Sequence, residues 1–567
     1  ARSTTTTTAT AAAAMAPAES PRPRDEEVGL LMMPAFTALR LALFAIAAGV
    51  LFGVDLGSIG GAVNAMRAEL GLTTFQVEWV VSGAKGGAIF GCLMGGALMQ
   101  SWGRRNAVAL SLVPFLAGPA LIGFASSFAM AMLGRILVGI GIGIASVAAP
   151  CFLSEVSPAP VRGAVVALYE LAIALGFFAT AVISWGIEAG TDDSPTWRLQ
   201  AGGVPFACSL PLLVAVCLVP ESPRWLLSQA GGDVDRLRGA LQAMADLGSH
   251  AARERLDTIC SGNSAATADS PRTTGTGRTR PCEMVELWDR QHGEMGSPLT
   301  LSPKSRAEVA APVQLSFFRI LQETLSDICA VVVSSERVPR GTRKGFLLSC
   351  LAAILTQACA STSVLVYAQV LLKNIGVESA QDQDAWAICV AAAKLLGVAV
   401  SLLIVNKVGR RPLLGWGGLL SAVALAVLSA GTAAGLETVV VPGMCLFIFV
   451  YCSTWASGYW VVVTELTAVG GPKLAASCQA AATAIMFVAG WLTSLTFASL
   501  VEVGGPWALM FYAGVGVLMA IYGWAIPEMR GKTLEECGAM LTRAPNGGKK
   551  EKEAAPVPSN IGISLEV

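Results

Sequence analysis

Of 567 residues, 54% are hydrophobic and 14% charged, with a mean hydropathy of +0.61, which excludes an ordinary soluble protein and indicates a large integral membrane protein. The 39 basic and 39 acidic residues cancel, so no global field recruits nucleic acid. The 14 cysteines show no CxxC or Cys/His ligand spacing, and P-loop, GxSxG and HExxH motifs are missing, so neither a metal, a cofactor nor enzymatic chemistry is expected.

Residues 1–36 are Thr/Ala/Pro-rich and then charged, which reads as a disordered cytoplasmic tail rather than a secretory signal peptide, with an organellar transit segment as the alternative. Apolar runs of bilayer-spanning length follow near 38–62, 77–100, 106–126, 128–152, 163–188 and 199–219. After a polar gap come six more, near 345–372, 385–405, 412–434, 438–466, 474–500 and 505–526. The expected fold is an all-α membrane protein with twelve transmembrane helices in two six-helix bundles. The bundles occupy 37–227 and 345–540, a cytoplasmic insert 228–344, and a cytoplasmic tail 541–567.

Links after spans two, four, eight and ten carry Arg104, Arg105, Arg162, Lys407, Arg410, Arg411 and Lys473. The opposite links carry Glu188, Asp192, Asp193, Glu378, Asp382, Asp384 and Glu502. The positive-inside bias therefore puts both termini and the insert in the cytoplasm. Gly103-Arg104-Arg105 after span two recurs as Gly409-Arg410-Arg411-Pro412 after span eight. This is an internal repeat of one half of the molecule, an arrangement that builds a site where the halves meet. The insert reads as a linker with amphipathic pieces, DVDRLRGALQAMADLG and LSFFRILQETL, and a regulator docking on it is the alternative.

Several ionisable groups lie inside apolar spans, where charge is costly unless it is paired or faces water. They are Asp55, Lys85, Arg135, Glu170 and Lys394. Such groups mark a pathway. Asp55 and Arg135 fall at equal depth, about 10 Å from the outer ends of spans one and four at 1.5 Å per residue, so they can pair. Lys85 lies at similar depth. The run Gly139, Gly141, Gly143 sits inside a span with no preceding strand, so close helix packing is expected rather than a nucleotide loop.

At the cytoplasmic helix ends, Arg104, Arg105, Arg162, Arg410 and Arg411 stand beside Glu155, Glu221, Glu465 and Glu528. Salt-bridge networks among them would tie the inner ends of helices together and bias inward-closed against inward-open states, alongside a plain topological role.

The ordered set Phe52-Gly53-Val54-Asp55, Gly96-Ala97-Leu98 with Gly103-Arg104-Arg105, Arg135, Pro150 to Glu155, Arg162-Gly163, Pro220-Glu221-Ser222-Pro223-Arg224-Trp225, Gly409 to Pro412 and Pro527 to Glu536 resembles the signatures of the sugar porter family of the major facilitator superfamily. The resemblance covers roughly 37–540 except the insert. It implies a secondary transporter that moves a sugar or similar small polar solute by alternating access. The matching Asp and Arg couple protons in symporters, so the resemblance favours Asp55 and Arg135 in that role.

The resemblance also places a central solute site at Phe52, Glu170, Thr356, Gln357, Thr362, Lys394, Trp460 and Met486. Gln357, Trp460 and Phe52 keep the amide and aromatic character that suits sugars. In contrast, Glu170, Thr356, Thr362, Lys394 and Met486 replace polar residues of the family pattern. Glu170 and Lys394 are expected either to bridge the halves or to receive a charged solute, with the bridge preferred. An uncoupled uniporter, a porter of organic ions and a non-transporting nutrient receptor remain as alternatives. The plasma membrane is the expected location, with an organellar membrane second.

Overall fold

Backbone that leaves water must satisfy its own hydrogen bonds, which inside a bilayer leaves helices or closed barrels. The apolar runs form helices. The computed structural model describes residues 35–156, 162–190, 196–223, 225–226, 239, 317–333, 340–374, 379–467, 472–530 and 540–541. Among the described residues, twelve helices are long and apolar enough to cross a membrane. Residues 1–34 and 542–567, the DVDRLRGALQAMADLG segment apart from Gly239, Arg224 and the side chain of Arg162 lie outside the described residues.

The first half consists of α1 (Ala35–Leu70), α2 (Thr74–Trp102), α3 (Arg104–Gly123), α4 (Phe128–Val156), α5 (Arg162–Gly190) and α6 (Thr196–Leu218). Helix α7 (Phe317–Val333) belongs to the insert. The second half consists of α8 (Arg340–Ala358, resuming as Ser361–Val366 and Ala368–Asn374), α9 (Ala380–Val408), α10 (Arg410–Ala433), α11 (Thr438–Thr467), α12 (Pro472–Gly504) and α13 (Pro506–Ala525).

The helices begin and end where local chemistry permits. Helix α2 opens on a capping box in which the Thr73 hydroxyl accepts from the Gln76 amide and the Gln76 side chain accepts from the Thr73 amide. Helices α3 and α10 each follow a glycine with positive φ, Gly103 at 98° and Gly409 at 90°, a conformation side chains disfavour.

Packing is tightest between α2 and α4 and between α1 and α5 in the first half, and between α10 and α13 in the second. The α2–α4 crossing depends on missing side chains: a Cβ on Gly139 would fall 2.0 Å from the Ala84 carbonyl oxygen, and one on Gly143 2.3 Å from that of Ala88. The glycine run is thus a packing surface, as its position inside a span implies.

The halves meet along two pairs, α2 against α12 and α5 against α9, while the second piece of α8 touches α1. Helix α7 touches α2, α8 and α12. Its Val331 is buried with Phe346, Cys478 and Ala481.

Three irregularities were not foreseeable from hydropathy. Helix α8 breaks at Ala360, which takes a left-handed φ of 60°, the one non-glycine positive φ among the described residues. Wide π turns interrupt α6 at Leu199–Gly203 and α11 at Cys452–Ala456. Broken helices at such depth are found where the backbone is buried in protein or lines a cavity.

Candidate functional site

Asp55 on α1 and Arg135 on α4 meet in the first half. Arg135 Nη1 donates to Asp55 Oδ1 at 2.8 Å, with side-chain exposures of 3% for the arginine and 4% for the aspartate. Its Nε donates to the Val80 carbonyl of α2 at 3.1 Å. One guanidinium therefore joins three helices, and its contact with α2 is possible because α2 and α4 lie so close.

Two further groups of α2 reach across to α12. Glu78 accepts from the Ser499 amide at 2.6 Å and the Ser499 hydroxyl at 2.8 Å. Lys85 Nζ donates to Ser494 Oγ at 2.5 Å and to the Gly490 carbonyl at 3.3 Å. The residues between them add an edge-on contact of Trp79 with Trp491, ring centroids 5.9 Å apart. Sequence reading singled out Lys85 but missed Glu78, Ser494 and Ser499. A glutamate four residues into a span looks like a polar helix end, and serines are tolerated in any membrane helix.

Deeper in, both halves contribute to one polar group. Glu170 of α5 lies near Trp460 on α11 and senses the charge of Lys394 on α9. Lys394 is 6% exposed, and its Nζ stands 4.8 Å from the centroid of Phe177, two turns beyond Glu170. No direct Glu170–Lys394 ion pair forms among the described residues. The expected bridge is corrected accordingly: the ring face of Phe177 accepts the ammonium, and the two charges act across a gap.

Gln357, half-buried on α8, accepts from the Thr362 hydroxyl at 3.2 Å across the helix break. The Gly490 backbone of α12 approaches it closely, since a Cβ there would fall 2.9 Å from Gln357 Oε1. Thr356 does not join this group. Its hydroxyl lies 2.9 Å from Tyr451 Oη, which donates to the Thr356 carbonyl at 2.8 Å, and the residue is 2% exposed. A threonine one position from the cleft residue faces about 100° away on a helix, toward α11. Met486 is likewise buried in the core, whereas Phe52 remains half-buried against it.

On the basic face, the two halves repeat one device. Arg104 donates from Nε and Nη2 to Glu155 Oε1 at 3.1 and 3.0 Å, and Arg410 from Nε and Nη2 to Glu465 Oε1 at 3.2 and 2.8 Å. Arg105 Nε donates to the Val216 carbonyl at 3.0 Å and Arg411 Nε to that of Trp524 at 2.9 Å.

A second carboxylate sits on each helix start. Glu221 accepts from the amides of Arg104 and Arg105 at 2.9 and 3.0 Å, and Glu528 from those of Arg410 and Arg411, both at 3.0 Å. Free amides and the helix dipole favour an anion there. Burial would raise the Glu528 carboxyl, but the amides of Arg410, Arg530 and Arg411 and the Arg410 guanidinium outweigh it and hold it below the usual glutamate range. In the first half the Ser222 hydroxyl also donates to Glu155. All these bonds lie within one half, so each fastens a bundle to itself.

On the opposite face, Glu69 accepts from Arg198 Nη2 at 2.7 Å and Trp197 Nε1 at 2.6 Å. Arg198 also donates to the Ala125 carbonyl at 2.6 Å, closing that end of the first half.

Residues 41–264 and 328–541 match the family described as "Sugar (and other) transporter". The galactose-proton symporter of Escherichia coli (strain K12) is 24% identical over 514 residues, 89% of this chain and 94% of that protein. Plastidic glucose transporter 4 of Arabidopsis thaliana is 26% identical over 502 residues, 87% and 78% of the two chains. Among solved structures, the proton:xylose symporter XylE bound to 6-bromo-6-deoxy-D-glucose superimposes with a TM-score of 0.65 at 21% identity, covering 89% of this chain and 98% of that one. The inward-open XylE from E. coli gives 0.63 at 21% identity, covering 88% and 99%. At such identity the structural likeness shows the fold.

Proposed function

Since the chain belongs to the sugar (and other) transporter family, and is a multi-pass membrane transporter rather than an enzyme, we propose that it carries a sugar or similar small polar solute by alternating access, in symport with a proton. The observation that carries this reading is the buried Asp55–Arg135 pair, standing in a fold where two halves enclose Glu170, Gln357, Thr362, Lys394 and Trp460. Similar proteins, which include a galactose-proton symporter, an arabinose-proton symporter and D-xylose-proton symporter-like 2, support it.

In this reading the basic face is cytoplasmic. A proton reaching Asp55 from outside cancels its charge and releases Arg135. The guanidinium then no longer fixes α1 to α4, and α2, which it holds through Val80, is free to follow closure over the solute. Inside, the proton leaves and the pair reforms. The Arg104–Glu155 and Arg410–Glu465 locks keep each half rigid, so the halves rock as bodies. Gln357 and Thr362 on the broken α8 offer donors and acceptors to hydroxyls, and Trp460 and Phe52 offer apolar ring faces.

A second reading, a porter of a charged solute, is favoured by one observation: Glu170 and Lys394 do not consume each other in a direct ion pair. The plasma membrane is the proposed location. A cytoplasmic regulator is part of the proposal as well, because α7 touches helices of both halves.

The deciding experiment is a proteoliposome uptake screen of sugars, polyols and small organic ions, each with and without an inward proton gradient. Gradient-driven accumulation of a neutral sugar supports the reading. Accumulation of ions alone moves it to the second, and gradient-independent equilibration makes the protein a uniporter.

A further inference from the structure

Lys85 is left without a task by this account, yet three observations converge on it. Its ammonium bonds Ser494 and Gly490 of α12, so it crosses between the halves and holds α2 to α12 on the outer side. It also stands near the proton pair: a Cβ on Gly83, two residues earlier, would lie 3.3 Å from Arg135 Cβ, and Lys85 senses the Arg135 charge. Finally it borders the solute residues, because Lys85 Cδ and Gln357 Oε1 both close on Gly490, at 3.3 and 2.9 Å from where a Cβ would be.

The charges around it are unbalanced. No carboxylate among the described residues forms an ion pair with Lys85. Asp55 is occupied by Arg135, and Glu78, on the same helix, is occupied by Ser499. From α8 and α12 the facing groups are neutral: Gln357, Ser494, and Tyr367, whose hydroxyl donates to the Ser494 carbonyl at 3.2 Å. With Asp55 ionised, Arg135 is neutralised and Lys85 alone is uncompensated. With Asp55 protonated, an ammonium at Lys85 and the Arg135 guanidinium share the closed outer half with no free anion, so excluding water from them is costly and Lys85 must either find further acceptors or give up its proton. A solute at Gln357 brings hydroxyl acceptors to the ammonium and offsets that cost.

We propose that Lys85 is a positioning residue that makes outer closure conditional: with Asp55 protonated, the carrier closes only when solute is present to complete the shell of Lys85. Lys85 then suppresses proton slip through the empty carrier. The proposal rests on the symport reading above.

The test uses the full chain in proteoliposomes containing a pH dye, comparing wild type, Lys85→Met and Lys85→Arg under an inward proton gradient. Without solute, Lys85→Met is expected to admit protons about tenfold faster than wild type, the usual size of a coupling between sites. Lys85→Arg, which keeps the charge, is expected to stay tight. If Lys85→Met does not fold, Lys85→Gln retains a donor for Ser494 without the charge and is expected to leak in the same way. Equal leaks in wild type and the neutral variants overturn the proposal alone, as does a leak in Lys85→Arg matching that of Lys85→Met. A wild type without solute-driven proton uptake removes the symport reading, and this proposal with it.

Discussion

Arg135 binds Asp55 at 2.8 Å and the Val80 carbonyl at 3.1 Å with the same guanidinium. One charge thereby ties the titratable group on α1 to the helix that carries the contacts with the opposite half, Glu78 and Lys85. In the proposed mechanism a change of charge at Asp55 would reach the seam through Arg135 and α2, without any long pathway.

The two helix-start carboxylates give a prediction about stability. Glu221 and Glu528 serve separate halves, so Glu221→Ala and Glu528→Ala should each lower the unfolding temperature. Each leaves amides without an acceptor, a loss of about 1–3 kcal/mol, and the double variant should show the sum of the two effects. Thermal unfolding in detergent measures this. A double variant no worse than either single one would show that the halves do not hold independently.

For Glu528 the sign of the pH dependence is fixed. Its carboxyl is held below the usual glutamate range in the folded protein. The stabilisation is therefore complete above the unfolded-state value, ~4.3, and is lost as pH falls through the lower folded value. The stability gap between wild type and Glu528→Gln should be constant from neutral pH down to ~5 and narrow below ~4. A gap that shrinks instead between pH 7 and 5 would contradict the assignment.

The α2–α4 crossing predicts opposite outcomes for one type of substitution. Gly139→Ala places a Cβ 2.0 Å from a carbonyl oxygen, whereas a Cβ at Gly186 on α5 meets nothing within 4 Å. The first should cost about 1–3 kcal/mol through overpacking, and the second should be neutral or mildly stabilising because alanine is the better helix former. Melting temperatures of the two purified variants check this.

Glu170 and Lys394 offer a charge-exchange experiment. Because Lys394 rests on Phe177 rather than on the carboxylate, Glu170→Lys combined with Lys394→Glu should not restore uptake lost in either single variant. The glutamate would face an aromatic ring that repels it. Recovery of wild-type uptake in the double variant would reinstate a simple bridge.

Most of the fold is legible in the sequence because the bilayer imposes it. Runs of about 20 apolar residues have one stable solution, and the repeated Gly-Arg-Arg marks the start of α3 and of α10 because only glycine suits the preceding turn. Arg135 with Asp55 was also legible, since opposite charges at equal depth in apolar spans have few other partners. The cleft was less so. Thr356 and Gln357 are neighbours in sequence but face different helices, as successive residues of one helix do, and the break at Ala360, across which Thr362 reaches Gln357, has no glycine or proline to announce it. Glu78, Ser494 and Ser499 depend on how α2 meets α12 from the other half, which hydropathy does not encode.

The central claim is that Asp55 carries the coupled proton, and the most direct test is solute-induced pH change with purified protein in proteoliposomes. Wild type should alkalinise the external medium when a transported solute is added, and Asp55→Asn should abolish that signal while still binding the solute. Proton uptake by Asp55→Asn equal to that of wild type would contradict the account.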